Sequence, residues 1–402
     1  MTVSIGRVHS PGKAADYFAN DNYYTAEQSE AASVWMGEGS RDLGLSGTVE
    51  ASVFEKILDG KLPDGTQVNN PETRDYGRDF TFSMPKSASL LALVSGDTRI
   101  LAAHLQAVKE TMAWAEKNLA EARVHVGGKD VAVRTGNLVY ALFQHDTSRA
   151  TDPQSHIHAV IANLTRLPER FRKRDRVDPK TGEVISDNGW RAWHNGAMYR
   201  ASATLSSMAN AILREKLESL GYKTELSGKH GAFYILGPNG ERINKEALDG
   251  FSKRGNDIKA KAEALGVHSP EGRRAITQRT RDPKMNAGDR TELAERWRAE
   301  AREYRYNGDQ IYAMALAKSQ ERTSPIERGI RAVNTAVRET RGRLVDYLKR
   351  PEDPLVDSGL SKLTRTPPTA RAQYATASAI RILSEREAVF SKADVVKTAI
   401  DL

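Results

Sequence analysis

The alternation of polar and apolar residues predicts a β-strand at Asp79–Ser83, which reads Asp-Phe-Thr-Phe-Ser. The Met84-Pro85 pair ends that strand. Further along the chain, the segments Asn137–Gln144 and His156–Asn163 predict two more strands, and the polar residues 146–155 join them. If these two strands pair with each other, they form an antiparallel hairpin.

Helices are predicted where apolar residues recur every three or four positions. The longest such segment is Ile100–Ala122, and a shorter helical segment follows Pro11-Gly12. The remaining predicted elements are a short strand at Val3–Val8, a helix that Ser87 opens, helices at Thr204–Leu220, Lys253–Lys284, Thr291–Arg305 and Ile326–Leu348, and a hairpin of Thr224–Leu226 with Ala232–Leu236. This mixture predicts an α/β fold of the α+β type.

The character of the sequence changes towards the C-terminus. Residues 320–370 are rich in arginine and include four prolines between positions 351 and 368, which is typical of a linker. The residues after this stretch are again helical in pattern and end without a closing motif. We therefore predict a first domain over residues 1–305, a linker over 306–369, and the beginning of a truncated further domain at 370–402.

Composition narrows the possible chemistry. The 402 residues contain 60 Lys and Arg against 52 Asp and Glu, so the net charge is +8, which suits a polyanionic partner without requiring one. The absence of cysteine excludes disulfides, a thiol nucleophile and cysteine-based metal sites. No apolar run reaches the roughly 20 residues of a membrane span, and no secretory signal is visible. We therefore expect a soluble cytoplasmic protein without membrane insertion and, since no Walker A sequence occurs, without a bound nucleotide.

The segment His156-Ile157-His158 is the strongest chemical signal. On a strand both imidazoles share one face, while Ile157 points into the opposite layer. His145 ends the preceding strand, and in the antiparallel hairpin it lies beside His156. Three neutral imidazoles then converge, which favours a divalent metal site with open positions for substrate oxygens. A single histidine would more often have only a structural, hydrogen-bonded role.

Three tyrosines occur close together near the N-terminus: Tyr17, Tyr23 and Tyr24. A tyrosine hydroxyl is a weak nucleophile until a base or cation activates it, but its phosphate ester can be reversed, so a broken phosphodiester can be rejoined. Aromatic packing is the alternative interpretation of the same spacing. Asp79 is a candidate acceptor that would fix the tautomer of a metal-bound histidine, although an acid at this position can also be an ordinary strand-end residue.

Basic residues concentrate in two segments, Arg166–Lys180 and Lys253–Lys284, and Arg149 lies close to the histidine hairpin. They could follow a phosphate backbone, and Trp190 and Trp193 could stack on bases beside the first segment. A solvated charged face explains either segment equally well.

Several motifs together resemble the N-terminal relaxase domain of a MobF-type conjugative relaxase–helicase, a branch of the HUH endonucleases. The strongest is Gly136–Asn163, in which a histidine is followed by ten residues, a histidine, one residue and a histidine. Further similar segments are Leu43–Gly65, Arg78–Ser87 and Gly221–Tyr234, while Ala377–Val395 resembles the opening of the helicase-like region. The resemblance extends over most of residues 1–300.

The resemblance implies a palm-like fold, with a central antiparallel sheet flanked by helices and C-terminal helical fingers that close over DNA. It also implies site- and strand-specific nicking and rejoining at a plasmid transfer origin, which initiates conjugative transfer. Tyr17 would attack first and form a 5′-phosphotyrosyl link, and Tyr23 and Tyr24 would serve a later transfer or termination step. Relatives often carry two adjacent tyrosines in the first cluster, whereas here Phe18 follows Tyr17. Asp79 matches the family's acidic position.

The resemblance further implies a metal ion, DNA and protein partners. Mg²⁺ or Mn²⁺ is the expected ion at His145, His156 and His158, and Ni²⁺, Co²⁺ or Zn²⁺ would compete in a purified sample. The expected partners are single-stranded and hairpin DNA of the transfer origin, accessory relaxosome proteins and a type IV secretion coupling protein. The residues expected to contact DNA are Lys86, Arg149 and Lys229.

Three rival interpretations remain open on the sequence. A rolling-circle replication initiator or transposase would share the histidines and the tyrosine chemistry. A DNA-binding module that never cuts would explain the basic segments but leave the histidines without a purpose. A metal-dependent hydrolase would use water in place of tyrosine and would not stay attached to cleaved DNA.

Overall fold

The computed structural model describes residues 1–20, 33–68, 75–173, 176–177, 184–269, 272, 275–277, 290–323, 367–385, 387 and 389–401. The chain divides into two compact units. The first comprises Met1–Ser202 and Ile243–Gly308, and the second comprises Ala203–Arg242 and Asp309–Leu402. Among the described residues, no helix combines the length and apolarity needed to cross a bilayer.

The strands, in chain order, are β1 (Thr2–Arg7), β2 (Ser33–Met36), β3 (Gly77–Ser83), β4 (Glu121–Val126), β5 (Lys129–Arg134), β6 (Tyr140–Thr147), β7 (Pro153–Ala162), β8 (Thr165–Arg166), β9 (Arg176–Val177), β10 (Val184–Ile185), β11 (Trp190–Arg191), β12 (Trp193–His194), β13 (Lys223–Leu226) and β14 (Phe233–Leu236). The helices are α1 (Pro11–Asn20), α2 (Glu38–Asp42), α3 (Ala51–Leu58), α4 (Lys86–Leu93), α5 (Thr98–Leu119), α6 (Gly196–Arg200), α7 (Ser202–Ser219), α8 (Lys245–Gly250), α9 (Lys253–Ala264), α10 (Arg290–Glu303), α11 (Gly308–Thr323), α12 (Pro367–Ser384) and α13 (Lys392–Asp401). A 3-10 turn lies at Glu169–Phe171.

A five-stranded sheet forms the centre of the first unit, with strand order β1-β3-β7-β6-β2. Every neighbouring pair in it is antiparallel. The predicted hairpin of β6 and β7 is confirmed, and its register sets His145 directly opposite His156 and Phe143 opposite His158. The prediction of a central antiparallel sheet flanked by helices is likewise confirmed.

The two faces of this sheet have different partners. Ile157 lies on one face with Phe80 and Phe82, and all three are buried on the side where α4 and α5 pack against β7. The histidines lie on the other face, which continues into an apolar cluster. Its members on α1, β2, α3, β6, β7 and β11 are Ala14, Ala15, Trp35, Phe54, Ile57, Leu58, Ala141, Phe143, Val160, Ala162 and Trp190. The sheet therefore separates the histidine face from the face that α4 and α5 cover.

Helix α5 ends earlier than the sequence predicted. The pattern indicated helix as far as Ala122, but Leu119 is the last helical residue and β4 begins at Glu121. The apolar spacing extends beyond the end of the helix because Ala122 is also buried, but in a strand of the β12-β4-β5 sheet. The β4–β5 hairpin was not among the predicted elements, and its turn is formed by Gly127 and Gly128, which adopt positive φ of 58° and 78°.

The tryptophans proposed to stack on bases are buried instead. The exposed fraction is 7% for Trp190 and 4% for Trp193. Trp190 belongs to the apolar cluster on the histidine face, and the Trp193 ring lies 6.5 Å from that of Phe80. The stacking prediction is wrong, because both residues lie on short strands that pack into the core.

Glu116 of α5 links the helix to two other elements. Its Oε1 accepts the backbone amides of Glu38 (2.8 Å) and Leu138 (2.7 Å). Burial raises the pKa of this carboxyl from its ordinary 4.5 to about 7. The pKa of Glu116 is higher in the folded state than in the unfolded state. The contribution of this carboxyl to the free energy of unfolding is therefore fully present below about pH 4.5 and is lost as the pH rises through about 7.

We expect Glu116→Gln to remove this pH dependence. The amide oxygen still accepts both backbone amides and carries no charge to bury. As the pH rises from 5 to 8.5, the free energy of unfolding of the unaltered protein should fall by roughly 3 kcal/mol more than that of the variant. Urea unfolding at both pH values measures the difference, and parallel pH profiles of the two proteins would contradict it.

The second unit contains α7, the β13–β14 hairpin, α11, α12 and α13. The hairpin and the α7 helix confirm the predictions for those segments. Gly221 follows α7 with a φ of 98°, and a Cβ there would lie 2.3 Å from the carbonyl oxygen of Ala315. Glycine therefore permits the close approach of α11 to the end of α7.

Candidate metal centre

The pairing of β6 with β7 brings three imidazoles together on one face of the central sheet. The ring centroids lie 5.3 Å apart for His145 and His156, 4.7 Å for His145 and His158, and 5.0 Å for His156 and His158. One ring nitrogen from each residue lies within 4.8 Å of the others. His145 and His158 are buried and His156 is half-buried, so the cluster reaches the surface through His156.

Two of the rings are oriented through their Nδ1 atoms. His158 Nδ1 donates to Asp79 Oδ2 at 2.8 Å, and His156 Nδ1 donates to the carbonyl oxygen of Gln154 at 3.0 Å. Both acceptors can only accept, so each Nδ1 carries the hydrogen and each Nε2 carries the lone pair. This is the tautomer that a metal-bound histidine needs, and such acceptors usually fix the ring direction as well.

Asp79 is held in turn by its own strand. Thr81 Oγ1 donates to Asp79 Oδ2 at 3.1 Å and lies 3.2 Å from His158 Nδ1. Thr81 lies opposite His158 in the β3–β7 pairing, and Asp79 lies opposite Val160. The sequence singled out Asp79 but missed Thr81, although its position two residues later on a strand places it on the same face.

Burial keeps His156 neutral at physiological pH. Burial and, after it, the neighbouring His158 together lower the pKa of the ring to about 4. A neutral imidazole is the form that binds a metal.

The start of β7 is held from the opposite face of the sheet. The Met84 amide donates to the Ser155 carbonyl oxygen (3.0 Å), and the Ser155 amide donates to Ser89 Oγ (3.2 Å). Its hydroxyl lies 3.2 Å from Nδ1 of the fully buried His104. These contacts fix the backbone immediately before His156.

The three imidazoles fit a divalent metal ion. They are grouped tightly, two are locked in the ligating tautomer and His156 is held neutral. Imidazole is a ligand for several first-row ions, with affinity generally rising towards Ni²⁺ and Cu²⁺, so the donor set alone does not select one.

We expect Asp79→Asn to weaken metal binding while leaving the fold in place. Asparagine has the same shape but is a weaker acceptor for His158 Nδ1, so the ligand loses basicity and orientation. Metal affinity should fall about 10–100-fold. Titration with Mn²⁺, followed by electron paramagnetic resonance, measures the loss. Thr66→Val, at a half-buried position in the loop after α3, is a control that should bind as the unaltered protein does. An Asp79→Asn affinity equal to that of the unaltered protein would contradict the orienting role.

The predicted tyrosines fall at the border of the described residues. Tyr17 lies in α1, whose Ala14 and Ala15 join the apolar cluster on the histidine face. The Tyr17 side chain lies outside the described part of the structure, as do Tyr23 and Tyr24 altogether.

The three residues proposed to contact DNA lie in different settings. Lys86 begins α4, is half-buried and donates from Nζ to the carbonyl oxygen of Pro153 at 3.1 Å. Burial lowers the pKa of its ammonium to about 8, opposed by the charge of Asp152. Arg149 is half-buried in the β6–β7 turn, and Lys229 is exposed in the β13–β14 turn of the second unit. Their contact with DNA stays a prediction.

Comparisons with known proteins agree with this geometry. The profile of a family described as TrwC relaxase matches residues 11–304. The multifunctional conjugation protein TraI of Escherichia coli (strain K12) is 36% identical over 301 residues, which are 73% of this chain and 16% of TraI. This chain thus spans about a sixth of that relative's length.

Solved structures of similar fold are complexes of the conjugative relaxase TrwC. One is a copper-bound complex with oriT DNA, with 35% identity and a TM-score of 0.64, and the match covers 76% of this chain and 100% of that one. Another holds a 27-mer DNA comprising the recognition hairpin and the cleavage site, with 34% identity, a TM-score of 0.63 and the same coverage.

Proposed function

We propose that this chain, which belongs to the TrwC relaxase family, nicks and rejoins one DNA strand at a plasmid transfer origin. The observation that carries the proposal is the cluster of His145, His156 and His158 on the central sheet, with His158 oriented by Asp79. A rolling-circle initiator or transposase is disfavoured, because the family match extends over residues 11–304 and not only over the histidine motif.

The proposed reaction is a transesterification. Tyr17 Oη attacks the scissile phosphorus, a bond from Oη to phosphorus forms, and the bond from phosphorus to the 3′ oxygen breaks. The departing 3′ oxygen takes a proton from solvent, so the products are a 5′-phosphotyrosyl link and a free 3′-hydroxyl, and the reverse reaction rejoins the strand. A divalent ion bound by the three histidines supplies Lewis-acid polarisation of the phosphate and offsets charge on its nonbridging oxygens.

Residues of the chain orient the histidine rings and accept the tyrosine proton. His156 and His158 present Nε2 because the Gln154 carbonyl and Asp79 accept from Nδ1. Asp79 Oδ1 is buried and has no hydrogen-bond partner among the described residues, so we assign it as the acceptor of the tyrosine proton. Tyr23 and Tyr24 are assigned to a later transfer or termination step.

A solved structure of the relaxase TrwC supports the proposed substrate. TrwC has been solved with DNA that contains a recognition hairpin and a cleavage site, and we propose the same two elements, hairpin and single strand, for the substrate of this chain. Lys86, Arg149 and Lys229 are proposed phosphate contacts. We further propose Mg²⁺ or Mn²⁺ as the physiological ion, a cytoplasmic location, and partnership with accessory relaxosome proteins and a type IV secretion coupling protein.

Covalent capture tests the proposal against its rivals. A tyrosine relaxase stays attached to one product of a metal-dependent cut, and EDTA abolishes that adduct. A hydrolase that uses water releases both products, and a DNA-binding module retains the intact strand. Either of these two results would contradict the proposed function.

A further inference from the structure

The turn that joins β6 to β7 contains a strained residue. Thr151 has a φ of 58°, in the left-handed region that β-branched residues rarely adopt. Within the turn, the Thr151 amide donates to the Ser148 carbonyl oxygen (2.9 Å), and the Ser148 amide donates to that of Asp152 (2.9 Å). Such a conformation persists where surrounding contacts determine it.

Helix α10 supplies those contacts. Trp297 Nε1 donates to the Thr151 carbonyl oxygen at 2.9 Å, and Arg296 Nη2 donates to Thr151 Oγ1 at 2.6 Å. Trp297 retains 4% of its exposure, so its hydrogen bond is shielded from water. An indole N–H that is buried in this way needs a partner, and the strained turn provides it.

Helix α9 anchors the next residue of the turn. Asp152 is buried, its Oδ2 accepts the backbone amide of Lys253 at 3.0 Å, and its Oδ1 lies 3.7 Å from Lys253 Nζ. The same ammonium donates to Glu300 of α10 at 2.8 Å. The two helices therefore hold the turn through a connected set of charged groups.

This turn connects directly to both strands that carry the histidines. On one side, β6 has a register irregularity between His145 and Thr147. On the other side, β7 begins at Pro153 and continues through Gln154, whose carbonyl oxygen orients His156. A shift of the turn therefore changes the direction of His145 and His156 relative to His158.

We propose that Trp297 and Arg296 are positioning residues, which set the geometry of the histidine cluster by holding Thr151 in its left-handed conformation. The inference rests on the proposed function for its effect on DNA cleavage, but its effect on metal binding does not depend on it. In this proposal α10 acts on the geometry of the histidine cluster and not through contact with DNA.

The test compares Trp297→Phe and Arg296→Met with the unaltered protein. Phenylalanine keeps an aromatic ring, although a smaller one, and removes the N–H, while methionine keeps roughly the length and removes the guanidinium. We expect each change to weaken Mn²⁺ binding about 3–10-fold, less than the loss of a direct orienting partner. The nicking rate of a bound oligonucleotide should fall by a similar factor, with DNA affinity unchanged. Trp114→Phe on α5 is the matched control and should change none of these quantities.

The outcomes separate this inference from the proposed function. Unchanged Mn²⁺ affinity and nicking rate in both folded variants would overturn the positioning role, as would a loss of DNA affinity alone. Loss of folding in both variants, seen by circular dichroism, would also overturn it and leave a purely structural role. If the unaltered protein binds Mn²⁺ but never cleaves, the proposed function fails, while the metal titrations still decide the positioning role.

Discussion

Replacing Tyr17 with phenylalanine should abolish the covalent protein–DNA product. The change removes only the hydroxyl oxygen that forms the new bond to phosphorus, so binding of DNA and of the metal ion should persist. Loss of the nucleophile should lower the nicking rate by about 10³-fold or more, since the remaining groups orient the phosphate without attacking it. Denaturing gels of a labelled oligonucleotide that spans the transfer origin, incubated with Mg²⁺ or Mn²⁺, measure the adduct.

Tyr374→Phe is the matched control for this experiment. It makes the same chemical change at a side chain of α12 that is 42% exposed, and it should leave the adduct at its normal level. An adduct that survives in Tyr17→Phe would contradict the assignment. Tyr23→Phe and Tyr24→Phe would then identify the nucleophile, because Phe18 cannot substitute for it.

Replacing His156 with alanine should have the second largest effect. His156 is the half-buried member of the cluster, and its Nδ1 donates to the backbone carbonyl oxygen of Gln154, so its removal takes no hydrogen bond away from Asp79. Loss of one of three ligands should reduce Mn²⁺ affinity beyond detection by titration. Nicking should fall about 10³-fold, because the ion's stabilisation of the phosphate is worth several kcal/mol.

The control for this change is His125→Ala. His125 is an exposed residue of β4 whose Nδ1 lies 3.0 Å from Asp130, and within the described part of the chain it is not a member of the histidine cluster. Metal binding and nicking should be unchanged in that variant. If His156→Ala retains normal metal affinity and nicking, the histidine cluster is not the metal centre of the reaction.

The geometry of the histidines could be predicted from the sequence because it depends on local rules. Side chains alternate along a strand, so His156 and His158 share a face, and a short connection between two strands gives an antiparallel pair. Those two rules were enough to place His145 beside His156, as the structure confirms. Asp79 was predicted as an acceptor because a ligating imidazole needs one, and the structure shows that its partner is His158.

Other parts of the fold and site depend on contacts between distant segments. Trp297 and Thr151 meet across the first unit, and no periodicity in the sequence relates them. The burial of Trp190 and Trp193 was missed for the same reason, since a tryptophan near basic residues has the same local pattern whether it stacks on bases or packs in a core. The carbonyl of Gln154 has no sequence signal at all, because every residue carries one.

The most direct test of the central claim asks which DNA product stays attached to the protein. Two single-stranded oligonucleotides span the transfer origin, one labelled at its 5′ end and one at its 3′ end, and each is incubated with the unaltered protein in Mn²⁺ or in EDTA. We predict a metal-dependent band with the mobility of a protein–DNA adduct only for the 3′-labelled strand, and a short free product with a 3′-hydroxyl for the 5′-labelled strand. Release of both products without an adduct, or an adduct on the 5′-labelled strand, would contradict a 5′-phosphotyrosyl mechanism.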